Sequence, residues 1–256
     1  MTLVSVGDTT IDVEHVPAAN APPTALALVF LHEGLGSISL WRSFPADVRE
    51  ACGDPELLVY SRPGYGHSPP VTAPRDVTYM HDEADDVLPA LLEQFAVTTP
   101  ILVGHSDGAS IAVLYAGGGR PVRGLVLLAP HVFVEDRSVE GIEAARRNYR
   151  AGDLAARLAR HHDDPGATFW GWNDVWLSPE FRSWNIEDRL GGITCPVLLV
   201  QGDADPYGTL AQLDAIEHRV RGPCRRVVLP GVGHAPHLEA PSETLAAVTE
   251  FVRRVS

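Results

Sequence analysis

Lysine is absent from the 256-residue sequence, so all 20 basic residues are arginine. That excludes lysine Schiff-base chemistry and lysine-dependent phosphate loops. Positive charge is scarce as a whole: 33 acidic residues outnumber the arginines, and the formal net charge is -13. With no excess to neutralise phosphates, neither nucleic acid nor an anionic membrane is expected as a partner. Cysteines are few, and Cys52, Cys195 and Cys224 are scattered and odd in number. They form no disulfide framework and no CxxC metal spacing, and they are expected as buried thiols in a reducing, cytoplasmic setting. No apolar run is long enough to span a bilayer, and residues 1–16 lack the basic flank and apolar core of a secretory signal. Internal repeats, low-complexity tracts and a linker to a second independent domain are also missing.

What is present is the composition of an ordinary globular chain, 45% hydrophobic and 21% charged, of a length that suits one domain with a sizeable core. Thr2–Val6 and Thr10–Val16 alternate polar and apolar residues around Gly7 and Asp8, which predicts a hairpin with one face to solvent. The runs 26–31, 57–60, 101–103, 124–128, 197–200 and 226–229 are short and continuously apolar, as parallel strands covered on both faces must be. Helical spacing lies between most of them, over 41–52, 80–95, 109–115, 206–220 and 242–252. This alternation predicts an α/β fold, a doubly wound and mostly parallel eight-stranded sheet with ligands at its carboxyl edge. One interval breaks the rhythm. Residues 137–192 offer no strand, carry amphipathic pieces such as 139–149 and 153–161, and hold Trp170, Trp172, Trp176 and Trp184. They are expected as a small helical cap inserted after the sixth strand, leaving 1–136 and 193–256 as the core. Its tryptophans either line a substrate pocket or anchor small helices to the body.

The chemistry centres on Gly104-His105-Ser106-Asp107-Gly108, a GxSxG pentapeptide between an apolar strand and a helix. A sharp strand-to-helix turn lifts the central hydroxyl above the sheet, and neighbours two residues away must lack side chains. A serine hydroxyl needs a base beside it and a group to orient that base. Asp203 and Asp205 follow the seventh strand, and His234 follows the eighth. The order Ser, Asp, His is that of one particular fold.

On these motifs, with His32–Ser37, SRPGYGHS at 61–68, GDAD at 202–205 and GHAPHLEAP at 233–241, the chain resembles the α/β-hydrolases over essentially its whole length. The resemblance implies Ser106 as nucleophile, His234 as general base and Asp205 as the orienting acid, with Asp203 supporting the turn. It implies an oxyanion hole from the backbone N–H groups of Asp107 and Gly34. The family's usual His-Gly step reads His32-Glu33-Gly34 here, so Glu33 departs from the pattern; it either hydrogen-bonds the loop, the preferred reading, or reaches toward the pocket. Glu33, His131 and Trp172 are taken as pocket residues. His237 and Glu239 are expected to pack or hydrogen-bond near the loop, and His161 to Asp164 to form a solvated helix end. No metal or cofactor is called for.

The expected function is hydrolysis of a small carboxylic ester or lactone, with an apolar or aromatic substrate and a monomer or homodimer as the working form. The same residues suit carbon–carbon hydrolysis of ring-cleavage ketoacids or cofactor-free perhydrolysis of the haloperoxidase type. Epoxide hydrolase and haloalkane dehalogenase chemistry is disfavoured, because it needs a carboxylate at the elbow centre. A non-catalytic small-molecule receptor is the alternative from another class.

Overall fold

The computed structural model describes residues 2–19, 26–71 and 74–256. Its eight strands are β1 (Thr2–Val6), β2 (Thr9–Val16), β3 (Ala27–Leu31), β4 (Glu56–Ser61), β5 (Ile101–His105), β6 (Gly124–Leu128), β7 (Val197–Gly202) and β8 (Cys224–Leu229). They form one sheet in the order β1-β2-β4-β3-β5-β6-β7-β8. The β1–β2 hairpin and the β2–β4 pair are antiparallel, and every other neighbouring pair is parallel. Every residue of β3, β5, β6 and β7 is buried. That explains why those strands read as continuous apolar runs, while β1 and β2 alternate.

Period-two alternation sends successive side chains to opposite faces and builds two cores. Val29, Leu31, Leu102, Leu125, Leu127 and Leu199 face the core formed with Leu88, Ile111, Leu114 and Ile216. Leu28, Phe30, Val103, Val126, Leu198 and Val200 face the other, with Trp41, Val48, Val248 and Val252. Helices Leu88–Gln94, Asp107–Gly117 and Ala211–Arg219 therefore cover one side, and Phe44–Ala51 with Pro241–Val255 the other.

Three helices depart from the expected bounds for local reasons. The stretch predicted over 41–52 begins as a separate 3₁₀ turn, Ile38–Trp41, because Arg42 takes a positive φ of 53° before Phe44–Ala51 starts. The stretch over 80–95 contains a π-helical turn, Glu83–Val87, between two α segments. The helix expected from 206 starts only at Ala211, since residues 206–210 are held as a loop: Asp205 accepts from Tyr207 N, and Gln201 Nε2 donates to Gly208 O.

Between β6 and β7 run the helices Asp136–Ala151, Asp153–Leu158, Pro165–Trp176 and Glu187–Leu190. Phe169, Trp172, Trp176, Phe181 and Trp184 are buried and continuous with the core on the same side of the sheet. His162 corrects the expectation of a solvated helix end over 161–164, in which Asp163 and Asp164 are exposed and His161 partly so. His162 is buried, accepts from Gly66 N at 2.9 Å through Nδ1 and donates to Leu35 O at 3.0 Å through Nε2, tying this segment to two core loops. The three cysteines are free and half-buried, not buried. Among the described residues, no helix is long and apolar enough to cross a membrane.

Candidate active site

Ser106 stands at the carboxyl end of β5 with φ 51° and ψ −117°, a region that costs a side-chain-bearing residue about 1–3 kcal/mol. Its N–H donates to Leu128 O at 2.9 Å, which ties the turn to β6. The flanking glycines are required by backbone contact. A Cβ on Gly104 would lie 2.4 Å from Gly108 O, and one on Gly108 would lie 2.0 Å from Leu31 O. No flexible side chain could yield there, so the helix Asp107–Gly117 packs backbone to backbone against β3.

His234 and Asp205 meet beyond the ends of β8 and β7. His234 Nδ1 lies 2.8 and 2.9 Å from the two oxygens of Asp205, which leaves Nε2 as the ring atom free to take a proton. Burial opposes ionisation of Asp205, but His234 and the Tyr207 N–H outweigh it and hold the carboxyl below its ordinary range. The loop carrying His234 is pinned by Glu239, which accepts from Gly233 N at 2.8 Å and Ala235 N at 3.0 Å. Asp203 accepts from Gly231 N at 2.7 Å and supports the same turn. His237 packs against Trp41 with ring centroids 4.8 Å apart, and burial pushes its pKa down to about 3.

Ser106 and His234 line one cavity of about 170 Å³, together with Glu33, Gly34, His131 and Trp172. Burial likewise pushes His131 down to about 3, so it stands there neutral. Trp172 packs closely against Gly34: a Cβ on that glycine would meet its Nε1 at 2.1 Å. A larger groove of about 720 Å³, bordered by Arg75, Trp170 and Glu180, contains none of these residues.

The Glu33–Gly34 peptide is the most tightly held element of the site. Its carbonyl oxygen accepts from His32 Nδ1 at 2.7 Å, Arg62 Nη2 at 2.8 Å and Gly36 N at 3.0 Å. Peptide planarity then fixes the opposite side of the same unit, the Gly34 N–H. His32 also accepts from Arg62 N at 3.0 Å, and burial, aided by Arg62, keeps it neutral with the proton on Nδ1. The loop bonds of residue 33 thus run through its carbonyl, which corrects the expectation that its carboxylate makes them.

Glu33 lines the cavity, and its carboxylate lies 3.5 Å from His105 Nδ1, while His105 Nε2 donates to His234 O at 2.7 Å. Burial opposes charge on both, yet each holds the other ionised: Glu33 titrates below its ordinary range and His105 above. Asp107 is bound behind the wall by Tyr79, whose hydroxyl donates to Oδ2 at 2.5 Å, and by Arg62 at 3.6 Å. Burial disfavours charge on Arg62, but Tyr65, Asp107 and Glu83 around it outweigh that and keep it protonated. Sequence reasoning missed His105, Arg62, Tyr79 and Tyr207. Two of them had a visible signal, since His105 is the first variable position of the pentapeptide and Arg62 sits inside SRPGYGHS.

A family model described as "Alpha/beta hydrolase family" matches residues 28–248. Epoxide hydrolase A of Mycobacterium tuberculosis is 35% identical over 79 residues, which is 30% of this chain and only 24% of that protein. The 2-succinyl-6-hydroxy-2,4-cyclohexadiene-1-carboxylate synthase of Shigella sonnei is 25% identical over 93% of this chain and 98% of its own. Among solved structures, a thermophilic esterase from Thermogutta terrifontis superposes with a TM-score of 0.75 at 20% identity, over 100% of this chain and 99% of the other.

Proposed function

Because the chain belongs to the alpha/beta hydrolase family, we propose that it is a serine hydrolase of small carboxylic esters or lactones. His234 Nε2 takes the proton of Ser106 as the Oγ attacks the substrate carbonyl carbon. The resulting oxyanion is met by the N–H groups of Gly34 and Asp107. His234 then returns the proton to the departing alkoxide, leaving an acyl-enzyme. Water attacks this ester, with His234 again accepting and delivering the proton, and Ser106 is regenerated. Asp205 keeps the imidazole in the required tautomer and stabilises its charged form. Residues 137–192 act as a cap over the core of 1–136 and 193–256, with Trp172 and Trp176 closing the acyl cavity. Three unpaired cysteines suit a cytoplasmic setting.

The observation that supports this reading most is the strained serine in one cavity with a carboxylate-bound histidine. It also speaks against epoxide chemistry despite the partial similarity, since the elbow centre is a serine and the adjacent Asp107 carboxylate is engaged by Tyr79 and Arg62. A fluorophosphonate probe is expected to add one adduct, located on Ser106 by peptide mass, that disappears in Ser106→Ala. Absence of labelling in folded protein would favour a receptor over an enzyme.

The pinned peptide gives a second test. Arg62→Met keeps the stem but removes one of three donors to the Glu33 carbonyl and leaves Asp107 without its counter-charge. Because His32 and Gly36 still hold the carbonyl, kcat should fall by about tenfold, less than the 10²–10³-fold of a lost oxyanion donor. Stability should fall by about 3–5 kcal/mol, the penalty of breaking a buried pair from one side. Steady-state kinetics with denaturant titration would check both, and an unchanged kcat would remove Arg62 from the hole's support.

A further inference from the structure

We infer that this site selects acyl groups that carry an O–H or N–H donor and no carboxylate, with Glu33 as the residue that reads them. The inference rests on the serine-hydrolase reading and narrows its substrate class.

The cavity is lined by two acidic residues, Glu33 and Asp107, and by no arginine, in a chain without lysine. Each acid has a cation that does not line the cavity. His105 pairs with Glu33 and Arg62 with Asp107, both cations are buried, and neither lines the cavity. Glu33 thus brings an acidic side chain to the cavity while its paired cation, His105, stays out of the lining. Glu33 is the one within reach. Its side chain keeps about a quarter of its exposure, whereas that of Asp107 is 1% exposed.

A carboxylate entering so small a space would approach a like charge of low mobility, with no compensating cation in contact. Fixed charges repel strongly where water is excluded. An ammonium or hydroxyl would instead donate to Glu33. Trp172, whose buried indole N–H has no protein partner, packs beside Gly34 and lines the same cavity. The remaining walls include Ile142 and Trp176. A volume of about 170 Å³ suits a single ring, since a dry cavity of about 150 Å³ admits benzene. The ring-cleavage ketoacids that the same catalytic residues could otherwise process carry a carboxylate, so they fall outside this class.

The test uses 4-nitrophenyl benzoates with methyl, hydroxymethyl, aminomethyl or carboxylate at the para position. On wild type, kcat/KM should rank aminomethyl and hydroxymethyl above methyl, and carboxylate below methyl by about tenfold or more. In Glu33→Gln the carboxylate-to-methyl ratio should rise by about tenfold; being a ratio within one variant, it is insensitive to a general loss of activity. Wild type cleaving the carboxylate ester as well as the methyl ester, or a ratio unmoved in Glu33→Gln, overturns the inference. If Ser106→Ala cleaves these esters like wild type, or if none is cleaved, the hydrolase reading fails instead. The specificity is then read as Kd for 4-methylbenzylamine, 4-methylbenzyl alcohol and 4-methylbenzoate, from the fluorescence of tryptophans that include Trp172 and Trp176. Benzoate binding as tightly as the amine overturns it there as well.

Discussion

Ser106→Ala is expected to lower kcat by about 10⁴-fold or more on every ester that the wild type cleaves, with the fold intact. The size follows from the division of labour at the site. Without Oγ there is no acyl-enzyme, and His234 can at best activate water in a cavity arranged for a different nucleophile. Residual rate would come from the Gly34 and Asp107 donors alone. The substitution leaves the backbone strain in place, because alanine at φ 51° is as crowded as serine. Ser106→Gly removes the Cβ and should be at least as stable as Ser106→Ala in thermal melts. A kcat for Ser106→Ala within about tenfold of wild type would end the serine-hydrolase reading.

Asp205→Asn should lower kcat by roughly 10³–10⁴-fold. An amide can donate to Nδ1, which moves the ring proton to Nε2 and leaves no atom to receive the serine proton. The same variant has a pH signature in stability. Asp205 is held below its ordinary range in the fold, so its ionised form contributes stability above the unfolded carboxyl pKa. That contribution disappears as the pH falls through the lowered folded value. The stability gap between wild type and Asp205→Asn should accordingly be widest near neutrality and close as the pH falls through the ordinary carboxyl range and below it. Melting curves from neutrality into acid check the sign, and a gap that widens in acid would show that the fold does not stabilise the Asp205 carboxylate.

The strands were legible because burial on both faces demands uninterrupted apolar runs, and the order of Ser106, Asp205 and His234 along the chain pointed to a serine and a histidine that line one cavity and an aspartate bonded to that histidine. Helix starts were less legible. The chain around Arg42 and between Asp205 and Leu210 is set by a positive φ and by side-chain bonds to the backbone, neither of which disturbs hydrophobic periodicity. The supporting pairs left no spacing at all. Arg62 meets Asp107, Glu33 meets His105 and His162 meets Gly66 across 45, 72 and 96 positions of chain. Glu33 shows the limit most plainly. Its departure from the family's glycine was visible, but that its carbonyl and its carboxylate serve different neighbours is a property of the folded loop.

The contact between Gly108 and Leu31 has a mechanical meaning. Strand β3 leads directly into the Glu33–Gly34 peptide, and the helix after Ser106 rests on that strand with no side chain between them. In the proposed mechanism, the Ser106 oxygen and the Gly34 N–H that would bind the oxyanion are thereby parts of one stiff block, whose spacing is set by main-chain atoms. Trp172 reaches the same space on a separate helix. On that reading, a shift of that helix would change the room available to a ligand without changing the spacing of Ser106 and Gly34 in the block beneath.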